Sequence, residues 1–183
     1  MPPDFFYLKG EIVTVKVADR EESSCQYMEC AKNLAVRVGE IVVNGPRKYL
    51  MSHGDHLIRI ASELYMHCQI ANSIYMGNGP NIMHDYNVRR THLLEARGMV
   101  DHVCSEMKIY LDLTAKVDGT NGDSKKPDEN RRKKQREAKR KNSARKADIG
   151  NRCSELSNML SGVIKSDWER VKSYNRQKDA ARK

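Results

Sequence analysis

The sequence predicts an all-α protein, an antiparallel up-down four-helix bundle. Four apolar stripes recur at alternating steps of three and four residues, the period that lines one face of a helix. Two connections between them are short and built from Gly, Asn and Pro, which sets successive helices side by side and antiparallel. Aromatic content is only 6%, which suits charged-faced helices better than a sandwich or barrel. The charge is unevenly spread. Lys116 to Lys146 holds thirteen Lys/Arg against five Asp/Glu, leaving twenty against nineteen in the rest of a chain of net charge +9.

Residues 1–20 read as an N-terminal arm. Glu11-Ile12-Val13-Thr14-Val15-Lys16-Val17 is β-branched and alternating, as a short strand is. With no second strand to pair with, it packs on the bundle, forms a loose arm or joins another chain, and Phe5-Phe6-Tyr7 offers an aromatic anchor beside it.

Residues 21–115 contain the first three helices. The first stripe is Tyr27, Ala31, Leu34, Val38 and Ile41, stopped by Asn44-Gly45-Pro46, where glycine permits a left-handed cap and proline cannot continue the helix. The second helix begins near Ser52 with the stripe Leu57, Ala61, Leu64, Cys68, Ala71 and Tyr75, and Gly77-Asn78-Gly79-Pro80 breaks it. The third starts near Asp85 or Asn87, either of which can cap free N–H groups. Its stripe is Leu93, Ala96, Val100, Val103, Met107 and Tyr110. Gly98 costs this helix roughly 1 kcal/mol against alanine and is placed to allow a close helix contact.

Residues 116–146 form a basic insertion. Its first half carries the Gly- and Asp-rich stretch Asp118 to Asp123. Its second half, Arg131 to Lys146, has no Gly or Pro and favours helix, opposed by like-charge repulsion. Residues 147–175 form the fourth helix, with Ile149, Cys153, Leu156, Leu160 and Val163 inward and the stripe drifting to Ile164, Trp168 and Val171. Trp168, the single tryptophan, plugs the core end or anchors an interface, the core reading being preferred. Residues 176–183 are a basic tail.

The five cysteines, Cys25, Cys30, Cys68, Cys104 and Cys153, show no close pairing and read as reduced core residues of a cytoplasmic protein. The N-terminus lacks the basic and apolar regions of a secretory signal. No apolar run reaches the length of about eighteen residues that spans a membrane, so no membrane partner is expected.

A concentrated run of cations attracts polyanions, nucleic acid above all. The candidate contacts are Lys125, Lys126, Arg131, Arg132, Lys133, Lys134, Arg136, Lys139, Arg140, Lys141, Arg145 and Lys146. The run holds no aromatic residue, so contacts go to the phosphate backbone with little sequence dependence. Arg89 and Arg90, with Arg97, Arg47 and Lys48, form a second positive patch or else ordinary surface ion pairs.

No cofactor, metal or catalytic residue is expected. His53-Gly54-Asp55-His56 offers too few ligands for an ion. His67 lies three turns further on, too far to share one without another segment. Cys104 beside His102 and Cys68 beside His67 do not face their neighbours on a helix. Inward positions lack the Glu-x-x-His pairs of a di-metal bundle, and no phosphate-binding Gly-Lys-Ser/Thr loop follows Gly77 to Pro80.

Pro46-Arg47-Lys48-Tyr49, then Gly54-Asp55 and Leu57, then Ala71-Asn72-Ser73-Ile74-Tyr75 resemble a known pattern. So do Arg89-Arg90 with Leu94 and Ala96, and Gly162-Val163-Ile164-Lys165-Ser166-Asp167. The chain resembles, over Gln26 to Lys172, the four-helix-bundle family of accessory variability determinants (Avd) of diversity-generating retroelements. Proteins of ribosomal RNA intervening sequences are related to that family. The strand-like arm and the insertion after Ala115 depart from compact members. The resemblance implies a non-enzymatic subunit that assembles as a homopentamer, binds template RNA and cDNA through positive surfaces, and binds the retroelement's reverse transcriptase. The alternative it implies is an RNA-binding or scaffold bundle of the intervening-sequence type, without a polymerase.

Overall fold

The computed structural model describes residues 26–77, 79–117 and 129–181. The predicted strand at Glu11–Val17 and the aromatic Phe5–Tyr7 lie outside these. Among the described residues the chain is all helical: α1 (Gln26–Val43), α2 (Asp55–Ser73), α3 (Ile82–Val117) and α4 (Glu129–Ala180). One helical turn, Arg47–Tyr49, and a wider π-turn, Leu50–Gly54, lead into α2.

Each long helix packs on two neighbours, α1 on α2 and α4, and α3 on α2 and α4. Polar pairs fix the directions. Arg37 of α1 meets Asp148 of α4. His67 of α2 meets His92 of α3, while His56 meets His102. Leu111 of α3 meets Asn142 of α4, while Tyr86 meets Trp168. Cys30, earlier on α1 than Arg37, lies by Glu155, later on α4 than Asp148. For each helix pair the numbers thus rise on one helix as they fall on the other, so the helices run up, down, up, down.

The predicted stripes of α1 and α3 are wholly buried, as are Leu57, Ala61, Leu64, Cys68 and Ala71 of α2, and Ile149, Cys153, Leu156 and Leu160 of α4. Tyr75 is not part of the core. α2 ends at Ser73, the chain turns extended at Ile74, and the Tyr75 ring is left 82% exposed. Trp168 is 37% exposed rather than enclosed, because it lies beyond the main core and leans on Tyr86 at 5.3 Å between ring centroids. Gly98 makes no close helix contact; a Cβ built there would have nothing within 4 Å.

Two other glycines are sterically required. A Cβ on Gly45 would collide with the Tyr110 hydroxyl, and one on Gly54 would come within 2.6 Å of Val42 Cγ1. Tyr110 donates to the Val42 carbonyl at 3.2 Å, and Gly45 N–H donates to the same oxygen at 3.0 Å. The last turn of α1 is therefore satisfied from α3, an answer to the orphan carbonyls every helix end presents.

The helix-favouring second half of the basic segment is helical. α3 continues to Val117, and α4 starts at Glu129. Most of the cationic run is thus the first third of a 52-residue helix, roughly 78 Å long at 1.5 Å per residue, continuous with the predicted fourth helix. Buried Asn142 explains how it docks. Its Nδ2 donates to the Leu111 carbonyl at 3.1 Å and to Thr114 Oγ1 at 3.2 Å.

Candidate nucleic-acid interface

Helix α4 carries one inward stripe and a broad outward face along its cationic third. Asn142 is buried, and Gln135, Ala138, Arg145 and Lys146 are half-buried against α3 and the end of α1. Arg132, Lys133, Arg136, Lys139, Arg140 and Lys141 are exposed. Lys133 and Arg140 are seven residues apart and share the crest with Arg136, since seven residues make two turns. None of these six has an ion pair among the described residues. Lys146 differs, being tied to Asp112 of α3. Lys125 and Lys126 lie outside the described residues, as do the side chains of Arg131 and Lys134.

The placement is electrostatically costly. The N-terminus of a helix is the positive end of its dipole and favours acidic groups. Here only Glu129 is acidic in the first turn, and Arg131-Arg132-Lys133-Lys134 follow at once. A local arrangement that works against the fold's stability points to function rather than folding.

Between this third of α4 and the end of α1 lies an open groove of about 760 Å³ lined by Arg37, Glu40, Asn44, Lys141, Arg145 and Asp148 among others. Asp148 accepts from Arg37 Nε and Arg152 Nε, each at 2.8 Å, and Glu40 accepts from Arg37 Nη1 at 2.9 Å. Those charges are mutually cancelled. Arg152 first, then Arg37, hold the Asp148 carboxyl below its ordinary value. Lys141 and Arg145 are left as the groove's unpaired cations among the described residues. The groove continues past Pro46 and Tyr110 into a second recess of about 400 Å³ that shares Asn44, Lys141 and Arg145. Arg47 and Lys48, both exposed, follow Pro46 directly and extend this positive end of the bundle.

Arg89 and Arg90 do not join them. They sit on α3 beside Tyr86, which meets Trp168. Trp168 lies 26 residues along α4 from Asn142, roughly 39 Å. Arg89 is moreover turned inward. Its Nε donates to Asp167 at 2.7 Å, with side chains 12% and 13% exposed, and its Nη1 donates to the carbonyls of Ala71 and Ile74 at 3.0 and 3.2 Å. Arg89 closes the end of α2 and is a structural residue. Arg90 and Arg97 are exposed. The sequence did hold a signal for this: Arg89 falls between Tyr86 and Leu93 on the inward stripe, where an apolar residue is expected.

Two of the thiols are buried. Burial pushes Cys68 up to about 12 and Cys153 up to about 12, which keeps both protonated at neutral pH. No cluster of three or more metal-ligating His, Cys, Asp or Glu occurs among the described residues. No helix among them is long and apolar enough to cross a membrane. Comparison with protein-family models, with curated proteins and with solved structures finds no match to the chain.

Proposed function

We propose that this chain is a non-enzymatic, nucleic-acid-binding subunit whose contact surface is the cationic third of α4 together with Arg47 and Lys48. The single observation that carries the reading is the crest of exposed cations Lys133, Arg136 and Arg140, which have no ion pair among the described residues, on a helix docked to α3 through buried Asn142. A row of cations along one helix face neutralises successive phosphates and releases their counterions. With no aromatic residue between Glu129 and Lys146, it grips the backbone and does not read bases.

By its resemblance to the Avd family, the subunit serves a diversity-generating retroelement. It holds template RNA and cDNA for the partner reverse transcriptase and supports mutagenic reverse transcription. It assembles as a homopentamer. Val36 and Val43, seven residues apart on α1 and exposed at 54% and 71%, offer apolar surface to another copy. The intervening-sequence relatives supply the second reading, in which the same surface binds RNA without a polymerase.

Fluorescence anisotropy of labelled template RNA with the full chain tests the first part. Binding at low salt that is lost as salt rises is expected; absence of binding at the lowest salt contradicts it. Co-expression with a reverse transcriptase of a diversity-generating retroelement tests the second. Co-purification supports the retroelement role, and RNA binding without it favours the intervening-sequence reading.

A further inference from the structure

His67 and His92 approach one another across the α2–α3 interface with their Nδ1 atoms 3.1 Å apart. Their ring centroids are 5.3 Å apart and the planes are tilted by 43°. On the sequence, His67 lacked a second ligand; the fold supplies it from a helix 25 residues away. We propose that this pair is a binding site for a divalent transition-metal ion, zinc being the best-suited ion, held by the two Nδ1 atoms and completed by water.

The spacing is the first argument. A tetrahedral zinc with Zn–N bonds of 2.0–2.1 Å sets two imidazole nitrogens about 3.3 Å apart. A square-planar ion sets adjacent nitrogens about 2.9 Å apart. The observed separation lies between, so either ion is accommodated by a shift of a few tenths of an ångström.

The second argument is chemical. Without an ion, one ring carries its proton on Nδ1 and donates to the other's Nδ1 lone pair, so the contact is a hydrogen bond; a divalent ion takes the place of that shared proton and is bound by both lone pairs. Both residues are half-buried, so water reaches the open coordination positions while the helices fix the pair. The absence of a third ligating side chain among the described residues makes this an open site of modest affinity rather than a structural cage.

The neighbouring His56–His102 pair is a built-in contrast. Its rings lie 5.6 Å apart at 70°, and the Arg59 guanidinium occupies His56 Nδ1 at 3.0 Å. A cation already sits at the nitrogen a metal would need.

The probe is zinc alone, added to metal-free full-length protein and followed by titration calorimetry and thermal denaturation. The expected result is saturable binding of one ion with a rise in Tm, because a ligand that binds only the native state stabilises it. His67→Gln and His92→Gln each weaken binding at least ~10-fold, the loss that even indirect disturbance of a metal site causes. His56→Gln leaves it unchanged. Imidazole ¹⁵N shifts of the unsubstituted protein provide a readout independent of any folding defect: those of His67 and His92 move on zinc addition, and those of His56 and His102 do not. No zinc binding, binding that survives both glutamine variants, or unmoved His67 and His92 resonances overturns the proposal.

Discussion

Arg89 and Asp167 form the most enclosed ion pair among the described residues, at 2.7 Å, and the same guanidinium closes the last turn of α2 through the carbonyls of Ala71 and Ile74. One side chain thus joins three helices at the end of the bundle remote from the cationic groove. Breaking a buried pair by removing one partner leaves an uncompensated charge. Arg89→Met is expected to destabilise the fold by about 3 kcal/mol, measured by urea unfolding. Adding Asp167→Leu restores part of the loss, not all, because the two carbonyls stay unpaired.

The carboxylates Asp148 and Asp167 are predicted to titrate in opposite directions. Asp148 is held below 3.8 by Arg152 and Arg37. Its contribution to stability is therefore present above 3.8 and lost as pH falls through the lower folded value. Asp167 is raised above 3.8 because burial outweighs the pull of Arg89. The native state then holds that proton more tightly than the unfolded chain, so its contribution becomes less favourable as pH rises from 3.8 through the folded value. Carboxyl NMR titration should place the Asp148 midpoint below 3.8 and the Asp167 midpoint above it, and Asp148→Asn should flatten the acid limb of the stability profile. The reverse order of midpoints would contradict the geometry.

The glycines divide into two groups with opposite expected signs. Gly98→Ala and Gly162→Ala meet nothing within 4 Å in helix interiors and should each stabilise by about 0.5–1 kcal/mol. Gly45→Ala drives a methyl into the Tyr110 hydroxyl and should cost about 1–3 kcal/mol. Tyr110→Phe removes that oxygen, so the double variant should lose less than the sum of the single changes, a coupling that a double-mutant cycle measures.

Asn142 sets the register of the cationic helix. Asn142→Ala removes two donated hydrogen bonds, to the Leu111 carbonyl and Thr114 Oγ1, from a buried site, and should cost about 1–3 kcal/mol. Faster amide hydrogen exchange over residues 135–146 than over 149–160 would locate the loosening in the cationic third.

The inward stripes were legible because burial imposes a period that a single helix displays by itself. Leu34, Leu64, Val103 and Leu156 needed no knowledge of their partners. What depends on register between helices was not legible. The inward turn of Arg89 requires Asp167 to lie opposite, and the His67–His92 contact requires α2 and α3 to align at one height. The continuity of α4 was half visible: helix-favouring residues marked Arg131 to Lys146, while their mutual repulsion opposed the helix and made a neutralising partner part of the expectation. Docking through Gln135, Ala138 and Asn142 offsets that repulsion. Tyr75 and Trp168 kept the stripe's spacing while the helix or the core ended beneath them, and periodicity does not report where a core stops. The cationic surface was recognised from composition, but its division into paired Arg37, Arg152 and Lys146 and, among the described residues, unpaired Lys133, Arg136 and Arg140 required the fold.

The most direct test of the cationic helix as the nucleic-acid surface is the salt dependence of RNA binding by the Arg132→Gln, Lys133→Gln, Arg136→Gln, Arg140→Gln variant against the unsubstituted chain. These four side chains are exposed and take no part in the core, so helicity should be retained. For a single strand each lost phosphate contact lowers the slope of log K against log salt by about 0.7. A slope smaller by about 3, with weaker binding at every salt concentration, is the predicted result. An unchanged slope and affinity would place the contact surface elsewhere on the bundle.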